Sequence, residues 1–589
     1  MQTNNREKVL IFSLIFLMQK CLQPGPRSCS VVGCSAKFEI TSEDQRFLDL
    51  FKVPAPTMCP DCRLQRRLCE RNTRCLYYRK CDLTGQQIIS QYNTDQKFPV
   101  YSIDAWTSDR WDGTTYGRDI DFSRPFFPQF QELLDVVPHL ALFNTPGTME
   151  NSDYNNATGY LKNCYLISES DICEDCYYSN LLKKSKDLCD CSVCYDCERC
   201  YECIDCINCH SLLFSQDCLQ CSDSWYLKNC HGCKDCIGCM NQRNKQYMIY
   251  NVQYSKDEYE AHKKALSPHT RSGLKKMQNE TDAFFATQPH RALTTERSEG
   301  CSGDRIYDCK GAVHCFDVKD IEDCRHCERL SLSCKTCMDF NSWGQNSELV
   351  YQCSATGDRA YNSKFCSTCI TITNCEYCFE CFHCSDCFGC ADLKNKKYCI
   401  FNKQYTKEEY ETLRSKLVTH METPLRSSGA TEGQTGEYGE YFPMSMCAFA
   451  YNESFAPDLF PMTKEEVLAR GWRWHDDTDS QKKYMGANIE LPETSAEVGD
   501  GICKDILLCK ATGKPYKVIP QEFKFYQSMN LPIPELCPDE RHRQRIAKRN
   551  LYKLYERECS KCQKKIETTY RPDGPPIVYC EECYLSTVY

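Results

Sequence analysis

The chain has 589 residues, too many for one hydrophobic core, so several domains are expected. Net charge is −9 but unevenly spread: residues 164–239 carry six basic and thirteen acidic side chains, while residues 59–81 carry seven basic and two acidic. Basic ends around an acidic middle exclude a protein coated along its length by nucleic acid.

The 50 cysteines fall as eight before residue 100, seventeen in 164–239, seventeen in 301–399 and eight after 440. In a short secreted peptide such a content would signal a disulfide framework. Here Cys-x2-Cys dominates, and two thiols three residues apart are well placed to share one metal ion. The expectation is a reduced, cytoplasmic protein. Residues 1–27 form a leader in which Arg6 and Lys8 precede an apolar run at 9–18. That run has the length of a signal-peptide core, but no small-x-small site follows and it is too short to span a bilayer. A disordered leader is expected, with export as the alternative.

Residues 28–112 and 501–589 are two copies of one module. Placing residue n beside n+478 aligns Pro54 and Pro56 with Pro532 and Pro534, and Cys59-Pro60-Asp61 with Cys537-Pro538-Asp539. It also aligns Arg71-Asn72 with Arg549-Asn550, and Val100-Tyr101 with Val578-Tyr579. A full module would hold two metal sites, each built from two cysteine knuckles. The front copy keeps Cys34, Cys59 and Cys62, with Cys29 completing the set across a four-residue spacer and Cys69 and Cys75 as alternative ligands. Its second site retains Cys81 beside Thr84, Ser102 and Ala105. The rear copy keeps Cys559, Cys562, Cys580 and Cys583, while Thr512 and Glu540 stand opposite Cys34 and Cys62. Four thiolates in two knuckles suit tetrahedral Zn²⁺, so about two zinc ions per chain are expected. The stretch from Ile566 to Tyr579 reads as strand, turn at Pro572-Asp573-Gly574, strand. After each first knuckle comes a helical pattern with Leu64, Leu68 and Ile546 inward. Arg63, Arg66, Arg67 and Arg71 in front, and Arg541, Arg545 and Arg549 behind, form an outward ridge suited to phosphates.

Residues 113–162 read as an aromatic connector with a short helix at 127–137, anchored by Trp106 and Trp111 just before it. Residues 163–266 and 301–418 are cysteine-rich arrays related by an offset of 151, which superposes Cys230, Cys233, Cys236 and Cys239 on Cys381, Cys384, Cys387 and Cys390. The third-position cysteines are densest from Cys191 to Cys209 and from Cys375 to Cys390. Each array ends in a short strand and a helix opened by a capping box, Ser255 with Glu258 and Thr406 with Glu409. A period of about 12 residues is what a narrow β-solenoid needs, with small apolar cysteines as stacked filling. The rival readings are a string of zinc knuckles and Fe–S clusters. Residues 267–300 and 419–440 read as linkers, and 441–500 as an aromatic segment with one helix opened at Thr463, its Trp472, Trp474 and His475 forming a docking patch. The expected fold is mainly β and multidomain: zinc-ribbon or treble-clef-like modules at both ends, two β-solenoid-like arrays between, and few short helices. No phosphate loop, HExxH, GxSxG or Rossmann glycine pattern occurs, so no catalytic residue is proposed.

The segments PTMCPDCRLQRR, RNTRCLYYRKCDLTGQQIIS, YGRDIDFSRPFF and NKQYMIYNVQYSKDEY, together with the Cys-Tyr-Glu-Cys arrays, resemble a family of uncharacterised zinc-ribbon proteins frequent in ultrasmall candidate-phylum bacteria. The likeness runs over nearly the whole chain after Ser28. It implies a zinc protein but carries no activity, and it departs from the family at the front knuckle, where Cys29-x4-Cys34 replaces Cys-x2-Cys. The expected function is a zinc-binding scaffold for a protein or nucleic-acid partner. The alternatives are RNA or DNA binding through the arginine helices, and thiol-rich metal handling or redox. No membrane span and no small-molecule substrate are expected.

Overall fold

The structure, a computed structural model, describes residues 24–178, 180–186, 192–195, 212–423, 436–476 and 489–588. Most of the stretch from Cys191 to Cys209 therefore lies outside the described residues.

The every-third-residue cysteine spacing becomes a backbone rule. Tyr377, Glu380, His383, Asp386, Gly389, Asp392 and Asn395 all have φ between 47° and 58°, in the left-handed region. That conformation costs an L-residue roughly 1–2 kcal/mol, less for Asn and Asp and nothing for Gly. Hence Asp, Asn or Gly so often precedes an array cysteine, as in Asp217-Cys218, Asn229-Cys230 and Gly232-Cys233. Cross-strand hydrogen bonds offset the cost: Glu380 N donates to Ser367 O at 3.0 Å and Asp392 N to Phe379 O at 2.9 Å. With a corner every third residue, the chain returns over itself after about twelve. Asn156 pairs in parallel with Ser168, Asn180 with Ser168 and Ser192, Leu212 with Ser224, Gly303 with Cys315, and Ser385 with Lys397. Side chains stack at the same interval. Asn362 donates to Asn374 at 2.8 Å, and Asn374 to Asp386 at 3.0 Å.

The interior of these stacks is lined with thiols. Cys366, Cys369, Cys375, Cys378, Cys381, Cys387 and Cys390 are fully buried among Ile, Leu and Val. Each sulfur lies against carbonyls, Cys381 Sγ standing 3.4 Å from Phe379 O and 3.5 Å from Cys390 O. A thiol fits such a narrow interior because it is small and its weak S–H donor tolerates a carbonyl wall. The closing helices Lys256–Leu266 and Lys407–Glu422 both begin in complete capping boxes.

The two end segments share one order of elements. In front, Gly25–Ser28 pairs with Lys37–Ile40, followed by the helices Ser42–Phe51 and Pro60–Cys69 and the hairpin Tyr77–Lys80 with Gln87–Ser90. Behind, Leu507–Leu508 pairs with Pro515–Tyr516, followed by Pro520–Ser528, Pro538–Ala547 and the hairpin Tyr555–Glu558 with Lys565–Thr568. Proline at the first turn of the helices after Cys59 and Cys537 suits their unsatisfied N-terminal amides.

Four expectations change. Strand 565–568 pairs back across the Cys559–Cys562 knuckle, not across Pro572-Asp573-Gly574, and Val578–Tyr579 runs parallel to His290–Arg291 instead. The polar stretch 267–300 is no loop: it carries the helix Arg271–Ala286, capped by Thr270 and seated through buried Met277. Its turn-like composition masked a helix whose apolar face is narrow. The first parallel stack starts at Met149–Glu150, ahead of residue 163. Trp472 and Trp474 pack inward within the chain, Trp472 stacking on Tyr451 at 5.6 Å. Within 419–440, residues 424–435 lie outside the described set, and Tyr438 is buried. The helix expected at 127–137 spans Phe126–Leu134, and Trp106 is fully buried.

Candidate metal centres

Among the described residues, two groups of four cysteines form, and each could hold a metal ion. Cys559, Cys562, Cys580 and Cys583 bring all four sulfurs within 4.8 Å of one another, as do Cys29, Cys34, Cys59 and Cys62. Neither group includes Cys69 or Cys75. In the rear group the knuckle is tightened by Cys559 N donating to Lys564 O and Gln563 N to Cys559 O. Cys580 N donates to Cys559 Sγ at 3.3 Å, and Cys562 Sγ stands 3.8 Å from Cys580 Sγ. Burial works to raise the Cys559 thiol, but backbone N–H groups of Cys562 and Cys580 bring it down to about 6. A thiol held this way is a ready thiolate ligand.

The front group follows the same plan with a longer knuckle. Cys29 N donates to Ala36 O, seven residues on, where the rear knuckle reaches five. The two extra residues explain the four-residue spacer. Cys59 N donates to Cys29 Sγ at 3.3 Å, and Cys34 Sγ lies 4.0 Å from Cys59 Sγ. Hydrogen bonding from Cys62 lowers Cys59 to about 5.

The degenerate sites keep their backbone. Ser102 N donates to Cys81 Sγ at 3.3 Å, the contact that Cys580 N makes behind. Thr512 Oγ1 lies 4.0 Å from Cys537 Sγ, the spacing of Cys34 and Cys59, while Glu540 pairs with Arg543 at 2.7 Å.

The arginine ridge faces inward, which corrects the expected orientation. The side chains of Arg63, Arg66, Arg67, Arg71, Arg541, Arg545 and Arg549 are all less than 8% exposed. Arg63 donates to both carboxylate oxygens of Asp339, and Arg67 lies 3.9 Å from Asp339 and from Glu328. Arg66 pairs with Glu440 at 3.3 Å, Arg71 with Glu169, Arg541 with Glu522 at 3.3 Å, and Arg549 with Asp317. Arg63, Arg67, Arg71 and Arg549 meet carboxylates of the parallel stacks, while Arg66 meets Glu440 and Arg541 meets Glu522 of its own end segment. Burial lowers Arg71 to about 9, whereas Arg63 and Arg67 hold Asp339 below the usual carboxylate range against its own burial.

A third group escaped the sequence reading. His139, Glu380 and Asp392 converge with ligand atoms within 4.8 Å of one another, all buried. Burial opposes charge on His139, yet Asp392 and Glu380 outweigh it and raise its pKa to about 10. Burial also raises Asp392, to about 8. The available signal was the recurrence of Pro138-His139-x-Ala141-Leu142 as Pro289-His290-x-Ala292-Leu293, again at an offset of 151. No protein-family model matches the chain, and no curated protein matches it. No helix among the described residues is long and apolar enough to cross a membrane.

Proposed function

We propose that the chain is a zinc-dependent structural scaffold with one Zn²⁺ in each four-cysteine group. The observation that carries this reading is the sulfur geometry. Tetrahedral thiolates about 2.3 Å from Zn²⁺ stand ~3.8 Å apart, and the Cys562–Cys580 and Cys34–Cys59 sulfurs are 3.8 and 4.0 Å apart. Four protein sulfurs fill a tetrahedron, leaving no position for a reacting water, so the role is structural. Metal binding of this kind contributes on the order of ten kcal/mol to small units with modest cores.

The parallel stacks between the zinc modules are best read as narrow β-solenoids. Their twelve-residue register, left-handed corners and thiol filling support this over a string of metal sites. Both zinc modules would then act as lateral braces, held to the solenoids by the buried arginine–carboxylate pairs, and the chain as a whole would present a rigid surface to a macromolecular partner. Thiols in this number favour a reducing compartment such as the cytoplasm. Elemental analysis of the purified chain tests the reading: Cys29→Ser and Cys559→Ser should each remove one zinc. Ten or more zinc ions per chain, or zinc unaffected by both substitutions, would favour a metal-handling protein instead.

A further inference from the structure

Glu380 and Asp392 are corner residues one turn of the stack apart, with φ of 47° and 54°, so their carboxylates project side by side. The strand His139–Leu140 lies across them, and the side chains of the three residues are 0–3% exposed. His139 Nε2 stands 3.0 Å from Leu134 O. A carbonyl only accepts, so Nε2 carries the ring proton and a neutral imidazole presents its lone pair at Nδ1. That atom faces Asp392 Oδ2 at 3.0 Å and Glu380 Oε2 at 3.8 Å. Among the described residues, His139 Nδ1 and Asp392 Oδ2 have no hydrogen-bond partner outside this trio.

The remaining lone pairs are anchored from outside. Tyr92 Oη donates to Glu380 Oε1 at 3.0 Å, Leu140 N to Glu380 Oε2 at 3.1 Å, and Trp106 Nε1 to Asp392 Oδ1 at 3.0 Å. The rings of Phe98 and Phe379 close over the imidazole at 4.2 and 5.4 Å. This resembles the outer shell that orients metal ligands: a histidine fixed through its far nitrogen, Asp392 through its far oxygen, and Glu380 through both oxygens. Without a cation, protons held on the imidazole and on a carboxylate must offset the buried charge; a divalent cation bound by the neutral imidazole and both carboxylates would take their place.

The duplication supplies a control within the same chain. At offsets of 151 and 478, His139, Glu380, Asp392, Tyr92 and Trp106 correspond to His290, Asn229, Asn241, Tyr570 and Tyr584. The second cluster assembles on the same plan, with His290 Nε2 3.1 Å from Phe285 O. Its carboxylates have become amides, and it satisfies itself. Asn229 Nδ2 donates to Asn241 Oδ1 at 2.9 Å, Tyr584 Oη donates to the same oxygen at 2.7 Å, and Tyr570 Oη lies 3.3 Å from His290 Nδ1. Where the acids are lost, so is any demand for a cation.

We propose that His139, Glu380 and Asp392 form a third metal site, which takes a divalent first-row cation of the Mn²⁺, Fe²⁺ or Zn²⁺ class through one nitrogen and two carboxylate oxygens. The mixed N/O donor set distinguishes it from the sulfur groups. It would clasp the front module to the second stack, since Tyr92 and Trp106 belong to one and Glu380 and Asp392 to the other. To test it, the full chain is produced in Mn²⁺-supplemented medium and desalted, its metals are counted by elemental analysis, and Mn²⁺ is read by EPR. Wild type should hold about three divalent ions per chain. E380N/D392N, which copies Asn229 and Asn241, should lose the N/O-bound ion and keep both sulfur-bound ones at unchanged far-UV CD. A wild-type count of two overturns the proposal and leaves His139 sharing a proton with the carboxylates; a variant that retains the third ion overturns it as well. Should the variant not fold, the wild-type count alone decides.

Discussion

Replacing Asp339 with Leu strips buried Arg63 of its counter-charge and leaves buried Arg67 with Glu328 alone. Asp339 accepts from Arg63 through both oxygens and lies 3.9 Å from Arg67, and all three side chains are 0–1% exposed. Breaking a buried pair by removing one partner costs about 3–5 kcal/mol, because the survivor remains charged in a low-dielectric site. Arg67 keeps Glu328 at 3.9 Å and its hydrogen bond to Asn341, so most of the penalty falls on Arg63. R63M/D339L removes both charges and should recover much of the loss, giving a coupling energy of about 2–3 kcal/mol. One unfolding free energy is ill-defined for a chain of this size, so the assay is native-state hydrogen exchange of the amides in Pro60–Cys69. If D339L changes their opening free energy by less than ~1 kcal/mol, as an exposed pair would, or if the two substitutions simply add, the inward docking of this helix is wrong.

Three further outcomes follow from the geometry. Asp44 and Asp339 are held below the usual carboxylate range against burial, Asp44 by His326 and Arg325 and Asp339 by Arg63 and Arg67. A depressed folded-state pKa means their stabilisation is fully present above the unfolded value near ~4 and lost as pH falls below it. CD along an acid titration should show unfolding beginning below about pH 4, with D44N blunting the pH dependence; an unchanged acid profile in D44N would refute this. T512C/E540C should rebuild the lost rear clasp with Cys509 and Cys537 and add one zinc to the elemental count, because the spacing at Thr512 already equals that at Cys34. An unchanged count would show that the backbone has drifted. In iodoacetamide labelling read by mass spectrometry, exposed Cys562 should react once chelator is added, while buried Cys378, Cys381 and Cys390 react only on unfolding. Rapid labelling of the array thiols in the native chain would refute their interior placement.

What the linear chain determined is what neighbours within a few residues decide. The Cys-x2-Cys knuckles, the capping boxes at Ser255 and Thr406, and the proline-led helices after Cys59 and Cys537 all depend on hydrogen bonds reaching no further than about one turn. The offsets of 478 and 151 carried these local units across the chain and singled out the two cysteine quartets. Only the tertiary structure decided which face of each arginine helix is buried. Helical periodicity places Leu64 and Leu68 inward and puts Arg63 on the outward face, yet Arg63 is buried against a counter-charge, Asp339, 276 residues away. The same holds for His139, whose partners Glu380 and Asp392 stand 240 or more residues on and read, in sequence, as ordinary polar turn residues. A charge bears burial only where an opposite charge meets it, and which charges meet is settled by how the modules and stacks pack together.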